Sequence, residues 1–439
     1  FYSLFNKKKK IIICCINNIG VFSIKLVQWV IEKIKLTNSN KEIDKLLKQF
    51  NNYYENCPVH SFDFTKKIYK KSFNESIYKE YVVDIEPIAS GSIGQVYKGY
   101  LKNDSSKKVA IKVVHPDIDK QLFIPKILLK FYNKFSKICN CGFNIPFELD
   151  KFFDYLNMQI NLEFECENIE RHKLYFKDNK FIVIPHVYKF SKDVIIMSYE
   201  EGVFYENLNI SDYSKSKILT ILRLYVRSSL VCNNYIHGDL HNGNWKVRPH
   251  PTLDNNYQII LYDLGLCVNL NNHSFMRRFY NYVDNDKKEL IAELMIECVK
   301  NKLSDTRYNM IKDKLVDLFT KIDMNKSVII SNLLKSSIAL LTVNNITIHD
   351  EYFNLFCTAI NTGNHISKYC DPNNHYDRSI QKDTSFKEVY PSLINFCDTY
   401  NCFQKYCDEM KLIMDNNKKK YELFEDLENK LKYNNFNNL

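Results

Sequence analysis

The run Tyr235-Ile-His-Gly-Asp-Leu-His-Asn-Gly-Asn244, followed after a polar turn by Ile259-Ile-Leu-Tyr-Asp-Leu-Gly-Leu266, carries more chemistry than any other part of this chain. Asp239 stands five residues before Asn244, and Asp263 follows an apolar run with strand character. Phosphoryl transfer needs that order: one carboxylate to orient a nucleophile, then an amide and a second carboxylate to hold magnesium. Asp263 has a blander reading as a strand-end Asp capping a turn, and the Leu264-Gly265 after it favours the metal role. His237 and His241 flank ligands suited to hard cations, so they read as hydrogen-bonding braces of the loop and not as metal ligands.

The upstream half supplies the remaining parts in order. Pro87-Ile-Ala-Ser-Gly-Ser-Ile-Gly-Gln-Val96 is a small-residue loop between β-prone runs, where the backbone N–H groups of Ala89, Ser90, Gly91, Ser92, Ile93 and Gly94 could cradle phosphates. Lys108-Val-Ala-Ile-Lys-Val-Val114 then reads as a strand with Lys112 in its middle. A lone strand Lys is ordinarily a surface residue; its spacing behind the loop makes it the cation for the phosphates.

These blocks resemble the UbiB-type atypical kinases, the aarF-domain family linked to ubiquinone metabolism, over roughly residues 18–300. Two more degenerate blocks add to the resemblance: Gly20-Val-Phe-Ser-Ile-Lys-Leu-Val-Gln-Trp29 and Asn161-Leu-Glu-Phe-Glu-Cys-Glu-Asn168. The resemblance implies an α+β, two-lobed protein-kinase-like fold: a small five-stranded N-lobe sheet, a mainly helical C-lobe and an N-terminal helical extension. It implies ATP or ADP and Mg2+ as cofactors, with Val96 and Met197 beside the nucleotide. Lys112 would contact the α- and β-phosphates, Glu167 would pair with Lys112, and Asp239 would be the base. Asn244 and Asp263 would hold magnesium. Glu163, Glu165 and Glu167 could alternatively form a solvated helix face. Lys25 and Gln28 match the family's Lys-x-Gly-Gln helix, which in relatives covers the active site and implies a small or lipid-like substrate. The chain departs from that pattern at Val27, where the family has Gly, and at Asn161, where the family has Glu. These departures bear on the gate and leave the nucleotide residues intact.

Composition fits a globular protein: of the 439 residues, 45% are hydrophobic and 26% charged. The net charge of +10 could attract anionic surfaces. Abundant Lys alongside Asn, Ile and Tyr is better explained by AT-rich coding, so no nucleic-acid partner is expected and peripheral membrane contact stays open. The fourteen Cys residues show no paired Cys-x-x-Cys units and no zinc spacing. That favours free thiols in a reducing intracellular compartment; the resemblance adds a mitochondrial or membrane-adjacent setting. No secretory signal is in view, although the chain begins at Phe. The apolar stretches 11–30 and 328–343 are each broken by polar residues and read as core or interfacial helices.

For organisation, 1–80 reads as the helical extension, 81–200 as the N-lobe, 201–400 as the C-lobe and 401–439 as a charged helical tail. Residues 81–114 predict three strands, and 181–185 and 193–199 two more to complete the N-lobe sheet. Glu200-Glu-Gly202 reads as a hinge. Everything after Ser211 except the Asp263 strand predicts helix. Two rival functions share the central motif. A small-molecule phosphotransferase of the aminoglycoside or choline kinase type would use Asp239, Asn244 and Asp263 in the same way. A non-catalytic nucleotide-binding scaffold would bind without transfer.

Overall fold

A computed structural model describes residues 59–118, 149–177, 179–211, 229–233, 235–269, 275–284, 286–322, 329–349, 351–353 and 355–360, with Lys25 and scattered positions in 120–127 and 214–226. Lys25 is helical and half-buried; Val27, Gln28 and the expected tail 401–439 lie outside the described residues. The chain divides into two units. The first takes residues 1–170, 185–200 and 263–266; the second takes 171–184, 201–262 and 267–439.

The first unit is organised by the helix Phe62–Phe73 and one antiparallel sheet. Ser61 caps the helix by accepting from the Phe64 N–H, Asp63 sits in its first turn, and Lys70 and Lys71 sit in its last. Asn74, in the left-handed region at φ 56°, ends it and donates its N–H to the Lys70 carbonyl. The sheet order is β1 (Tyr81–Val83), β3 (Gly94–Leu101), β4 (Asp104–Val114), β7 (Val194–Ser198) and β6 (Val187–Phe190), with the short β2 (Ala89–Ser90) paired to β3. Alternation along β4 decides its two faces. Val109, Ile111 and Val113 join Tyr69, Tyr97, Val194 and Ile196 in one buried cluster, which leaves Ala110, Lys112 and Val114 on the opposite face.

The second unit contains a three-stranded sheet, β5 (Ile182–Val183), β10 (Tyr257–Leu261) and β9 (Trp245–Pro249), and a two-stranded ribbon of β8 (Tyr235–His237) with β11 (Cys267–Asn269). Helices Phe275–Asp284, Lys288–Glu297, Asp305–Thr320 and Ile329–Val343 follow. Ser304 caps the third of these, and Ile311, Leu315 and Phe319 form its buried stripe at intervals of four. Helix Ile329–Val343 is a core helix, burying Leu333, Leu334, Ile338 and Leu341. Among the described residues no helix is long and apolar enough to cross a membrane.

Three expectations are corrected. The first unit's sheet has six strands and not five, because Ala89–Ser90 folds back on β3 as an extra hairpin arm. Residues 181–185 do not join that sheet: Ile182–Val183 runs parallel to β10 in the second unit, and the edge position is taken by Val187–Phe190. The region after Ser211 is not helix apart from one strand, since β8, β9 and β11 are also extended. Short runs such as Tyr235–His237 are too brief for periodicity to assign. At Gly202, read as a hinge, packing leaves little room for a side chain. A Cβ there would lie 2.8 Å from Ile260 Cδ1 and 3.1 Å from the Val247 carbonyl oxygen.

Ile111 is fully buried on the central strand. Ile111→Ala is expected to cost roughly 2–5 kcal/mol, read as a lower denaturant midpoint; an unchanged midpoint would remove β4 from the core.

Candidate active site

In the first unit, register and alternation gather the nucleotide-side residues on one face. Val96 and Ile195 lie directly opposite Lys112, and Met197 lies opposite Ala110. Directly paired residues share a face, so Val96, Ala110, Ile195 and Met197 surround Lys112 with apolar side chains, and Lys98, paired with Ala110, lies further along the same face. Ala110 was not among the expected residues. Its position two before Lys112 in a strand was the available signal. The loop arches over the start of this face as the β2–β3 turn, with Gly91 donating its N–H to the Gly94 carbonyl at 3.0 Å. Ala89 is exposed, Gly91 half-buried, and Ser90, Ser92, Ile93 and Gly94 buried. A Cβ on Gly94 would collide with the Val113 carbonyl, so the loop can enter β3 only through glycine.

Lys112 is 8% exposed, and its ammonium meets two carboxylates. It donates to Glu165 at 2.9 and 2.7 Å and to Asp263 Oδ1 at 2.8 Å. Burial alone lowers the Lys112 pKa, but Asp263 and Glu165 outweigh it, so the net shift is upward and the ammonium is held charged. Burial raises the Glu165 carboxyl while Lys112 pulls it down; with an ammonium at 2.7 Å we read the two as an ion pair. Asp263 has φ 51°, a left-handed conformation that Asp tolerates better than most residues. Leu264 is fixed by its carbonyl, which accepts from Asn168 Nδ2 at 2.7 Å. Gly265 leaves space for the carboxylates: a Cβ there would lie 3.3 Å from Asp263 Oδ1 and 3.5 Å from Glu165 Oε2.

The partner expected for Lys112 was Glu167; the structure makes it Glu165. Both lie on helix Leu162–Tyr175, and two residues of helix rotate a side chain by about 200°. Glu165 is therefore buried, while Glu163 and Glu167 are exposed. Asn161 accounts for the register. Its Oδ1 accepts from the Glu163 N–H at 3.1 Å and so caps this helix start.

In the second unit the Asp239 loop is locked by histidines in the bracing role. His237, fully buried, accepts from the Asp239 N–H on Nδ1 at 3.2 Å, and its Nε2 faces the Tyr262 carbonyl at 3.1 Å. These partners fix the neutral Nε2–H tautomer. His241 accepts from the Gly243 N–H at 3.1 Å. Asn244 donates Nδ2 to the Asp239 carbonyl at 2.8 Å, which fixes the direction of the other end of its amide, Oδ1, a hard oxygen donor. Tyr262, one residue before Asp263, donates its N–H to the Asn244 carbonyl at 2.8 Å. Asp239 itself is half-buried. Among the described residues no cluster of three or more His, Cys, Asp or Glu could hold a metal on its own.

Comparison with known proteins returns the same group as the motifs. The ABC1 atypical kinase-like domain model matches residues 52–294. A Dictyostelium discoideum protein named "Probable serine/threonine-protein kinase abkC" is 29% identical over 292 residues, covering 63% of this chain and 41% of the relative. A mitochondrial ABC1 family protein of Schizosaccharomyces pombe is 23% identical over 269 residues, covering 52% of this chain and 37% of that protein. The matches thus span less than half the length of these relatives. Among solved structures, a Mycobacterium tuberculosis protein in complex with erythromycin aligns with a TM-score of 0.47 and 16% identity, over 73% of this chain and 85% of that one.

Removing one partner of a buried ion pair is strongly destabilising. With Asp263 still at 2.8 Å from Lys112, Glu165→Gln is expected to lose about 3 kcal/mol, whereas Glu167→Gln should melt like the wild type. Paired thermal or urea melts check this, and equal losses would undo the Glu165 assignment.

Proposed function

Because the chain belongs to the ABC1 atypical kinase-like family, we propose that it binds magnesium-ATP and transfers or hydrolyses the terminal phosphate, acting on or driving the handling of a small or lipid-like molecule. The observation that carries this reading is the buried Lys112 ammonium held between Glu165 and Asp263. A scaffold with no use for phosphate would gain nothing from a desolvated cation buried among apolar neighbours, because such an arrangement costs stability relative to apolar residues.

Each residue then has a part. Within the loop Ala89–Gly94, backbone N–H groups other than that of Gly91, which is donated to the Gly94 carbonyl, would be presented to the phosphates, and Val96, Ala110 and Met197 would pack against the base. Lys112 would neutralise the α- and β-phosphates, with Glu165 holding its rotamer. Asp263 and the Oδ1 of Asn244 would hold magnesium, which when bound neutralises charge on the phosphate oxygens. Asp239 would accept the proton of the attacking hydroxyl or water. Its backbone is held by His237 and Asn244, which makes its position independent of substrate. ADP can occupy the same groups.

The phosphate acceptor is proposed from the family resemblance to be small or lipid-like, in quinone metabolism, with the Lys25 and Gln28 helix gating access. The mitochondrial relative supports an organellar setting, and peripheral membrane contact is proposed along with the lipid-like acceptor. The small-molecule phosphotransferase reading is less well supported, because the family model extends through the Ser92-Ile-Gly-Gln-Val96 loop that points away from it.

Two outcomes test this reading. Wild-type protein should gain thermal stability with magnesium-ATP, and Asp263→Asn should lose most of that shift; equal shifts would take Asp263 out of the metal site. Lys25→Ala should fold normally and alter ATP turnover measured with and without detergent or phenolic lipid analogues. Identical kinetics in a stably folded variant would sink the gate.

A further inference from the structure

A chain of polar groups runs behind the phosphate loop, on the sheet face opposite Lys112. His115, just past β4, touches the loop twice: its N–H donates to the Ile93 carbonyl at 2.9 Å, and its Nε2 meets the Gly91 carbonyl at 2.9 Å. His60, just before helix Phe62–Phe73, places its Nδ1 3.0 Å from His115 Nδ1 and its Nε2 2.9 Å from Thr65 Oγ1. Thr65 Oγ1 lies 2.8 Å from the Tyr97 hydroxyl, which accepts from Gln95 Nε2. Gln95 is locked by main chain, receiving the His60 N–H at 2.9 Å and donating to the His60 carbonyl at 3.0 Å.

The hydrogens in this chain have one consistent arrangement. Gly91 offers only a carbonyl, so His115 Nε2 must carry a proton and its Nδ1, in the neutral ring, a lone pair. His60 must then donate from Nδ1 and accept on Nε2. Thr65 donates to His60, Tyr97 donates to Thr65, and Gln95 donates to Tyr97. Every hydrogen points one way, from a backbone-locked amide to a loop carbonyl. In a planar trans peptide the N–H points opposite to the C=O, and no cis bond occurs among the described residues. With the Gly91 and Ile93 carbonyls turned to His115, the N–H groups of Ser92 and Gly94 are turned away from it.

We propose that His115 is a positioning residue that sets the phosphate loop by holding its carbonyls from behind, and that His60 does so indirectly by fixing which His115 nitrogen carries the proton. The inference rests on the nucleotide reading for its purpose, not for its geometry. It also predicts acid sensitivity. A second proton on His115 would face the His60 Nδ1–H, and one on His60 Nε2 would face the Thr65 hydroxyl hydrogen and force that hydroxyl to turn away from its acceptor. The groups facing the two rings are each other, Thr65, the Gly91 carbonyl and the Phe64 ring edge, with Tyr97 one step behind. Burial and His115 push His60 down to about 4, and burial lowers His115. Both rings are thus neutral in the fold. Unfolded histidine takes up its proton near 6.5, so stability is lost as pH falls from there towards 4.

The test is long-range 1H–15N spectroscopy of histidine-labelled full chain at neutral pH, assigned with His60→Asn and His115→Gln. His115 is expected as the Nε2–H tautomer and His60 as Nδ1–H. His60→Asn keeps an amide N–H at the Nδ1 position and should preserve both the His115 tautomer and the Gly91 and Ser92 amide shifts. His60→Phe, of similar size but without a donor, should release the tautomer, move those amides and weaken magnesium-ATP binding roughly threefold to tenfold. A wild-type His115 carrying its proton on Nδ1 would overturn the proposal, as would unmoved amides in folded His60→Phe. If wild type bound no nucleotide while the amides moved as stated, the nucleotide reading would fall and the positioning role would stand.

Discussion

A single buried ammonium organises the first unit's chemistry. Lys112 sits on the central strand of the six-stranded sheet, where every apolar neighbour argues against a charge. Desolvation would neutralise or expel it without compensation. Glu165 supplies that compensation from a helix, and Asp263 supplies it from the turn that follows β10. Three segments far apart in sequence are thereby brought into register: the helix presents position 165, the turn places Asp263 at positive φ, and a side chain at Gly265 would crowd the Asp263 carboxylate. A site built around one cation is stiff for that reason. Moving any of the three segments leaves a buried charge without its partner.

Much of this was legible in the sequence, because the motifs are short and their roles do not depend on exact element boundaries. Lys112 behind the loop, Asp239 before Asn244 and Asp263 after an apolar run follow from residue type and spacing. The glutamate register does not. Glu163, Glu165 and Glu167 alternate in sequence, and which one turns inward depends on where the helix starts. Asn161 sets that start by capping, with Leu162 further tied by its N–H to the Lys192 carbonyl at 2.9 Å. A tertiary contact to residue 192 has no local signature. The same holds for Ile182–Val183, whose partner strand lies more than seventy residues downstream.

The second unit solves a different problem by different means. Asp239 and Asn244 lie in a loop with little apolar side chain to hold it, so the loop is fixed by hydrogen bonds to main chain. His237 and Asn244 both bind the backbone of Asp239, and Tyr262 binds the backbone of Asn244. Buried histidine serves here as a neutral two-ended brace, accepting on one nitrogen and donating on the other. The His60 and His115 pair uses the same property on the first unit's loop. Imidazole is thus used in both units where a loop needs support that adds no charge of its own.

Asn161 shows how one departure from the family pattern can be accounted for locally. A helix N-terminus favours a short side chain that can reach back to its own first turn, which Asn does and Glu does poorly. In this chain the Asn161 Oδ1 is committed to the Glu163 N–H, and its Nδ2 lies 3.4 Å from the Glu163 carboxylate. The cap holds the start of the helix that delivers Glu165 to Lys112.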